Sequence, residues 1–134
     1  MTLEQYLNYW KVNYGYVKVA KEELTPEIEK NAEDLISKVN SLLSSAGLSH
    51  MMISSGWRPK AVNASIKGAA PFSNHVKGLA VDVYDPHGDL DNWCMNNLPI
   101  LEEIGLWLEH PAATKTWCHL QSIAPRSGAR VFYP

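Results

Sequence analysis

With 134 residues, 46% of them hydrophobic and 19% charged, the chain is long enough for one domain around a single core. Its composition is too ordinary for a disordered or fibrous protein. A formal net charge of −2 and the lack of a basic stripe argue against a nucleic-acid partner. No apolar run approaches the roughly 18–20 residues that would cross a bilayer, so no membrane insertion is expected.

In chain order, the opening stretch MTLEQYLNYWKVNYGYVKVA has no basic start, apolar stretch or small-residue cleavage site of a secretory leader. The chain is therefore expected to be cytoplasmic as synthesised. Residues 3–12 form a first element rich in Tyr and Trp whose type the pattern leaves open, with packing favoured over sugar stacking for its aromatic rings. Thr25 then caps a predicted helix with Pro26 at its first position, where a missing N–H costs nothing. Ile28, Ala32, Leu35, Ile36, Val39, Leu42 and Leu43 form its apolar stripe, and Gly47 is its predicted left-handed stop.

Residues 51–54 (MMIS) read as a short buried strand, broken by Gly56-Trp57-Arg58-Pro59. Residues 60–77, rich in Ala, Asn, Gly, Ser and Pro, read as one long loop. LAVDVY (79–84) is a predicted strand, followed by a turn at 85–88. Residues 90–108 carry helical spacing, with Pro99 dividing the stretch or starting its second helix. WCHLQ (117–121) and RVFY (130–133) complete the set as strands. Helices and short strands mix without regular alternation, which predicts an α+β fold: a small, mainly antiparallel sheet with helices packed on it, residues 1–134 forming one domain. Cys94 and Cys118 are too few for a disulfide framework and read as free thiols.

The chemistry lies where polar residues interrupt apolar strands. In LAVDVY, alternation puts Leu79, Val81 and Val83 on one face and Ala80, Asp82 and Tyr84 on the other. A mid-strand carboxylate is costly to bury unless a cation or donors compensate it. In WCHLQ, Cys118 and Leu120 share one face, and Trp117, His119 and Gln121 the other. His75 precedes the tight Lys77-Gly78 turn into the strand of Asp82. Two imidazoles and a carboxylate suit zinc with a position left open. Taken singly, each of these residues is more often an ordinary polar side chain than a ligand.

Together they resemble something specific. The run Ser73-Asn74-His75-Val76-Lys77-Gly78-Leu79-Ala80-Val81-Asp82 is similar to the S-x-H-x-x-G-x-A-x-D signature of the M15 zinc peptidases. Ser55-Gly56-Trp57-Arg58 resembles that family's S-G-[YW]-R element, and Trp117-Cys118-His119 its W-x-H element. The family includes D-alanyl-D-alanine carboxypeptidases, D,D-dipeptidases and phage endolysins that cut between L-Ala and D-Glu, and the Hedgehog signalling domain shares its fold. The resemblance runs from about residue 51 to 121. It implies that His75, Asp82 and His119 hold zinc, that Arg58 binds a substrate carboxylate or oxyanion, that Ser73 hydrogen-bonds substrate or orients the site, and that Trp117 contacts substrate. The implied partner is the stem peptide of peptidoglycan, reached after release from the cell or from a virion.

One position departs from the pattern. Many members carry the general base three residues before the last His, and here that residue is Thr116. The nearest upstream acid, Glu109, is expected to end a helical segment and to return to the metal through the 111–115 loop, with His110 as second choice. Should neither reach, a non-catalytic zinc- or peptide-binding module or a structural phage protein becomes the alternative. Elsewhere, His50 and His87 read as exposed turn residues, and Asp85, Asp89 and Asp91 as a polar turn without calcium-loop spacing. Arg126 and Arg130 read as surface charges or sheet-edge protection.

Overall fold

The computed structural model describes residues 1–134. Helix α1 spans Leu3–Asn13, and the element left open by the aromatic pattern is settled by its first residues. Thr2 accepts the Gln5 N–H while the Gln5 side chain accepts the Thr2 N–H, a reciprocal capping box. Helix α2 (Pro26–Ala46) starts and stops as expected: Thr25 Oγ1 accepts the Ile28 N–H, Pro26 sits in the first turn, and Gly47 takes a left-handed φ of 69°. Its stripe Ala32, Leu35, Ile36, Val39, Leu42 and Leu43 is buried, whereas Ile28 is only partly covered.

Strand β1 (Ile53–Ser55) starts two residues later than the sequence suggested. The 60–77 stretch is not all loop: Lys60–Ser65 form helix α3, which buries Val62 and Asn63, and turns begin only after Ser65. Strand β2 (Ala80–Tyr84) is followed by helices α4 (Asp89–Met95) and α5 (Leu98–Ile104), with Pro99 in the first turn of α5. The helical reading beyond that point is corrected. Gly105, at φ 91°, ends α5, and Trp107–Glu109 form strand β3. Leu106 and Leu108 are buried while Trp107 and Glu109 are half-exposed, a two-residue period that overrides the helical spacing of the preceding turn. Strands β4 (Trp117–Gln121) and β5 (Val131–Phe132) complete the chain.

The five strands lie in the order β1-β2-β4-β3-β5, antiparallel except for the β3–β5 pair. This is the α+β architecture that the sequence predicts. Val81, Val83, Leu108, Cys118 and Leu120 of the sheet join α2, Leu90 and Cys94 of α4 and Leu101 of α5 in one continuous apolar core. Both cysteines are free and buried in it. Tyr6 of α1 is also fully buried, and its hydroxyl donates to the Ala80 carbonyl at 2.8 Å. No helix is long and apolar enough to cross a membrane.

Candidate metal centre

Alternation along β2 and β4 leaves Asp82 and His119 on the sheet face turned away from the α2 core. Register brings them side by side, since Asp82 pairs directly with His119. The next strand extends the row: Trp107 lies opposite Gln121 and Leu108 opposite Leu120, so one further step brings Glu109 abreast of His119. On the other flank a bulge in β1 sets Ser55 opposite Asp82. Ser55, Asp82, His119 and Glu109 thus form a polar row across four neighbouring strands.

His75 enters from the turn before β2. Its main-chain N–H donates to Ser73 Oγ at 3.2 Å, Trp57 Nε1 donates to the Val76 carbonyl at 3.0 Å, and the Arg58 N–H donates to the His75 carbonyl at 3.1 Å. At Gly78 a Cβ atom would lie 2.8 Å from the Ile28 carbonyl oxygen, and φ there is 74°. Only glycine lets the turn press this closely on α2. The imidazole so held has Nε2 3.3 Å from Asp82 Oδ2, and His119 Nδ1 lies 2.8 Å from Asp82 Oδ1. One ligand atom from each of the three residues falls within 4.8 Å of the others.

The donor set fits zinc. His75 Nδ1 lies 2.9 Å from the Gly56 carbonyl oxygen, which can only accept, so the ring hydrogen sits on Nδ1. Burial is the main influence on this imidazole and holds its pKa below the ordinary value, against the pull of Asp82. The neutral ring therefore turns an Nε2 lone pair toward a carboxylate oxygen. Two acceptors facing each other with no hydrogen between them are stabilised by a cation held between them.

Charge around Asp82 is dense. Burial would raise its carboxyl pKa, but His75 and His119 outweigh that and hold it well below the usual carboxylate range. The Arg58 guanidinium adds a contact of 3.5 Å from Nη2 to Asp82 Oδ2, and its Nε donates to Ser55 Oγ at 3.0 Å. Burial lowers the His119 pKa, yet the hydrogen bond and charge of Asp82, together with Gln121, turn the net shift upward. Glu109 is raised mainly by burial, with His119 opposing and Asp82 adding to the shift. Its carboxylate shares the electrostatic field of the cluster.

The structure brings His75, Asp82, His119 and Arg58 together, with Glu109 beside them on β3 rather than at a helix end. Trp117 lies two residues from His119 on the same strand, opposite Tyr84. Ser73 caps the His75 turn from its hydroxyl. His110 is engaged elsewhere: its Nδ1 accepts the Ala112 N–H, and its ring stacks on Tyr133 at 4.5 Å. Asp85 and Asp91 are buried rather than a solvated turn, the Asp85 carboxylate accepting the Leu90 and Asp91 N–H groups at the start of α4. Arg130 is no free surface charge either, since it lies over the Trp107 ring at 4.4 Å and donates to the Leu106 carbonyl.

Ser55, Gly56, Gln121 and Tyr6 escaped the reading of the sequence as site residues. For Gln121 a signal existed, because alternation sets it on the face of His119. For Gly56 none did, since its part is played by a main-chain carbonyl, nor for Tyr6, whose hydroxyl reaches the Ala80 carbonyl and whose own carbonyl accepts the Trp57 N–H from far along the chain. A family model described as Peptidase M15 matches residues 6–99. That span runs from α1 into α5 and includes Arg58, His75 and Asp82. No curated protein matches the chain, and no solved structure does.

Proposed function

The chain belongs to the M15 peptidases, and on that premise we propose that it is a zinc-dependent hydrolase of a peptide bond next to a D-amino acid in the stem peptide of bacterial peptidoglycan. The observation that carries the metal part is the neutral His75 ring, whose Nε2 lone pair faces Asp82 at 3.3 Å beside His119. Zinc at His75, Asp82 and His119 supplies Lewis-acid polarisation of the scissile carbonyl and lowers the pKa of water toward ~7.

The chain's own groups do the rest. Arg58 offers a planar fork to a substrate carboxylate or to the developing oxyanion, held in aim by Ser55. Glu109 takes the proton from the attacking water and delivers it to the leaving amine. Partial burial makes its carboxylate a better base than a solvated one. Trp117, on the strand of His119, and Ser73, at the His75 turn, are the further side chains assigned to the peptide. The D-residue and cell-wall assignment rests on the family's motifs in the sequence. Its test is incubation of zinc-loaded protein with purified peptidoglycan and with synthetic stem peptides ending in D-Ala-D-Ala, products read by mass spectrometry. Cleavage beside a D-residue that is lost in His75→Ala is the expected result. Zinc retention without cleavage of any stem peptide would favour a non-catalytic peptide-binding module on the same scaffold.

A further inference from the structure

Gln121 is the one side chain that reaches the outer nitrogen of a candidate metal-binding imidazole. His119 Nε2 lies 2.9 Å from Gln121 Oε1, and Gln121 Nε2 donates to the Ile123 carbonyl at 2.9 Å. The second bond decides the first. A flipped amide would set its oxygen against the Ile123 carbonyl oxygen, acceptor against acceptor, so the amide oxygen must face the imidazole. His119 therefore donates through Nε2–H, and its other nitrogen, Nδ1, is the one turned to Asp82. Asn74 Nδ2 makes a longer contact of 3.5 Å to the same oxygen, from the residue next to His75.

We propose that Gln121 is a positioning residue that holds the His119 ring through its Nε2–H and so keeps Nδ1 turned to Asp82 and the candidate metal position. The two rings are thus held by different kinds of partner. One is fixed by a main-chain carbonyl, Gly56, and the other by a replaceable side-chain amide. Outer partners of this kind set ring orientation and ligand basicity, and their loss typically costs ~10–100-fold in metal affinity. The Gln121 side chain is buried with the end of β4, so the lock is built into the sheet rather than into a mobile loop.

The inference rests on the zinc reading, and the test separates the two. Zinc affinity of the full chain is measured by chelator competition for wild type, Gln121→Met and Gln121→Glu. Ring protonation is read from long-range ¹H–¹⁵N correlations of the histidines in the zinc-loaded wild type. Expected are a ~10–100-fold weaker site in Gln121→Met, partial rescue in Gln121→Glu, which keeps an acceptor for the His119 Nε2–H but loses the donor to the Ile123 carbonyl, and a His119 ring protonated at Nε2. Wild-type affinity in Gln121→Met, or zinc on Nε2 of His119, would overturn the proposal and leave the zinc reading intact. A wild type that takes up no zinc would end both. Should Gln121→Met fail to fold, the wild-type ring spectrum and the Gln121→Glu affinity still decide.

Discussion

Asp82 is the residue on which every charge in the site converges. A carboxylate this deep in a sheet needs positive charge beside it, which the Arg58 guanidinium supplies in part and a cation held with His75 and His119 would complete. Glu109, one strand beyond His119, has no hydrogen-bonding partner of that kind and keeps its lone pairs free for a proton. Glu109→Gln preserves shape and removes basicity. It is expected to lower kcat by ~10²–10⁴-fold, with zinc content and thermal midpoint unchanged, as read by steady-state kinetics, metal analysis and calorimetry. Turnover that survives the substitution would take the proton step away from Glu109. His110 is a poor heir, being bonded to Ala112 and stacked on Tyr133.

Among the elements, α1 and the segment after β1 clasp each other. The Tyr6 carbonyl accepts the Trp57 N–H at 3.1 Å, and a Cβ atom on Gly56 would stand 2.3 Å from the same carbonyl oxygen. Gly56→Ala must therefore push backbone aside, at about 1–3 kcal/mol for overpacking. It also moves the carbonyl that fixes the His75 ring. Tyr6→Phe deletes only the bond to Ala80, costing about 1 kcal/mol. Urea unfolding should show both losses, but zinc affinity should fall in Gly56→Ala alone; equal affinity in both variants would disconnect the clasp from the metal. This coupling was invisible in the sequence, where Ser55-Gly56-Trp57-Arg58 pointed to the arginine and not to the carbonyl beside it. Local periodicity did announce α2, β2 and β4, because long or strictly alternating apolar patterns have few other solutions. It missed β3, where three residues after a glycine stop continue a helical spacing by coincidence. It also offered no hint that β4 inserts between β2 and β3, since strand neighbours are chosen by distant packing. For that reason Asp82 and His119 could be assigned to faces in advance, while the row that brings Glu109 into line could not.

At the scale of the whole molecule, the sheet divides the labour: one face packs on α2, α4 and α5, and the other carries the polar row. The candidate ligands come from the turn at 73–78, from β2 and from β4, three segments that an unfolded chain keeps apart. A metal binding only the assembled set stabilises the fold by mass action, by about 2.7 kcal/mol when free zinc is one hundred times its dissociation constant. The thermal midpoint should accordingly rise with zinc and fall with chelator, and His119→Ala should flatten that response; an unchanged midpoint in wild type would mean that no ion binds the folded state preferentially. Cys118 precedes His119 on β4 and points to the opposite, sealed side of the sheet, where Cys94 meets it in the core. Its thiol is hidden from any reagent in solution until the strand bearing the imidazole comes loose. The chain thus carries its own clock: with Cys94 replaced by serine, the rate at which a thiol dye reacts with Cys118 counts the openings of the strand on which the chemistry depends.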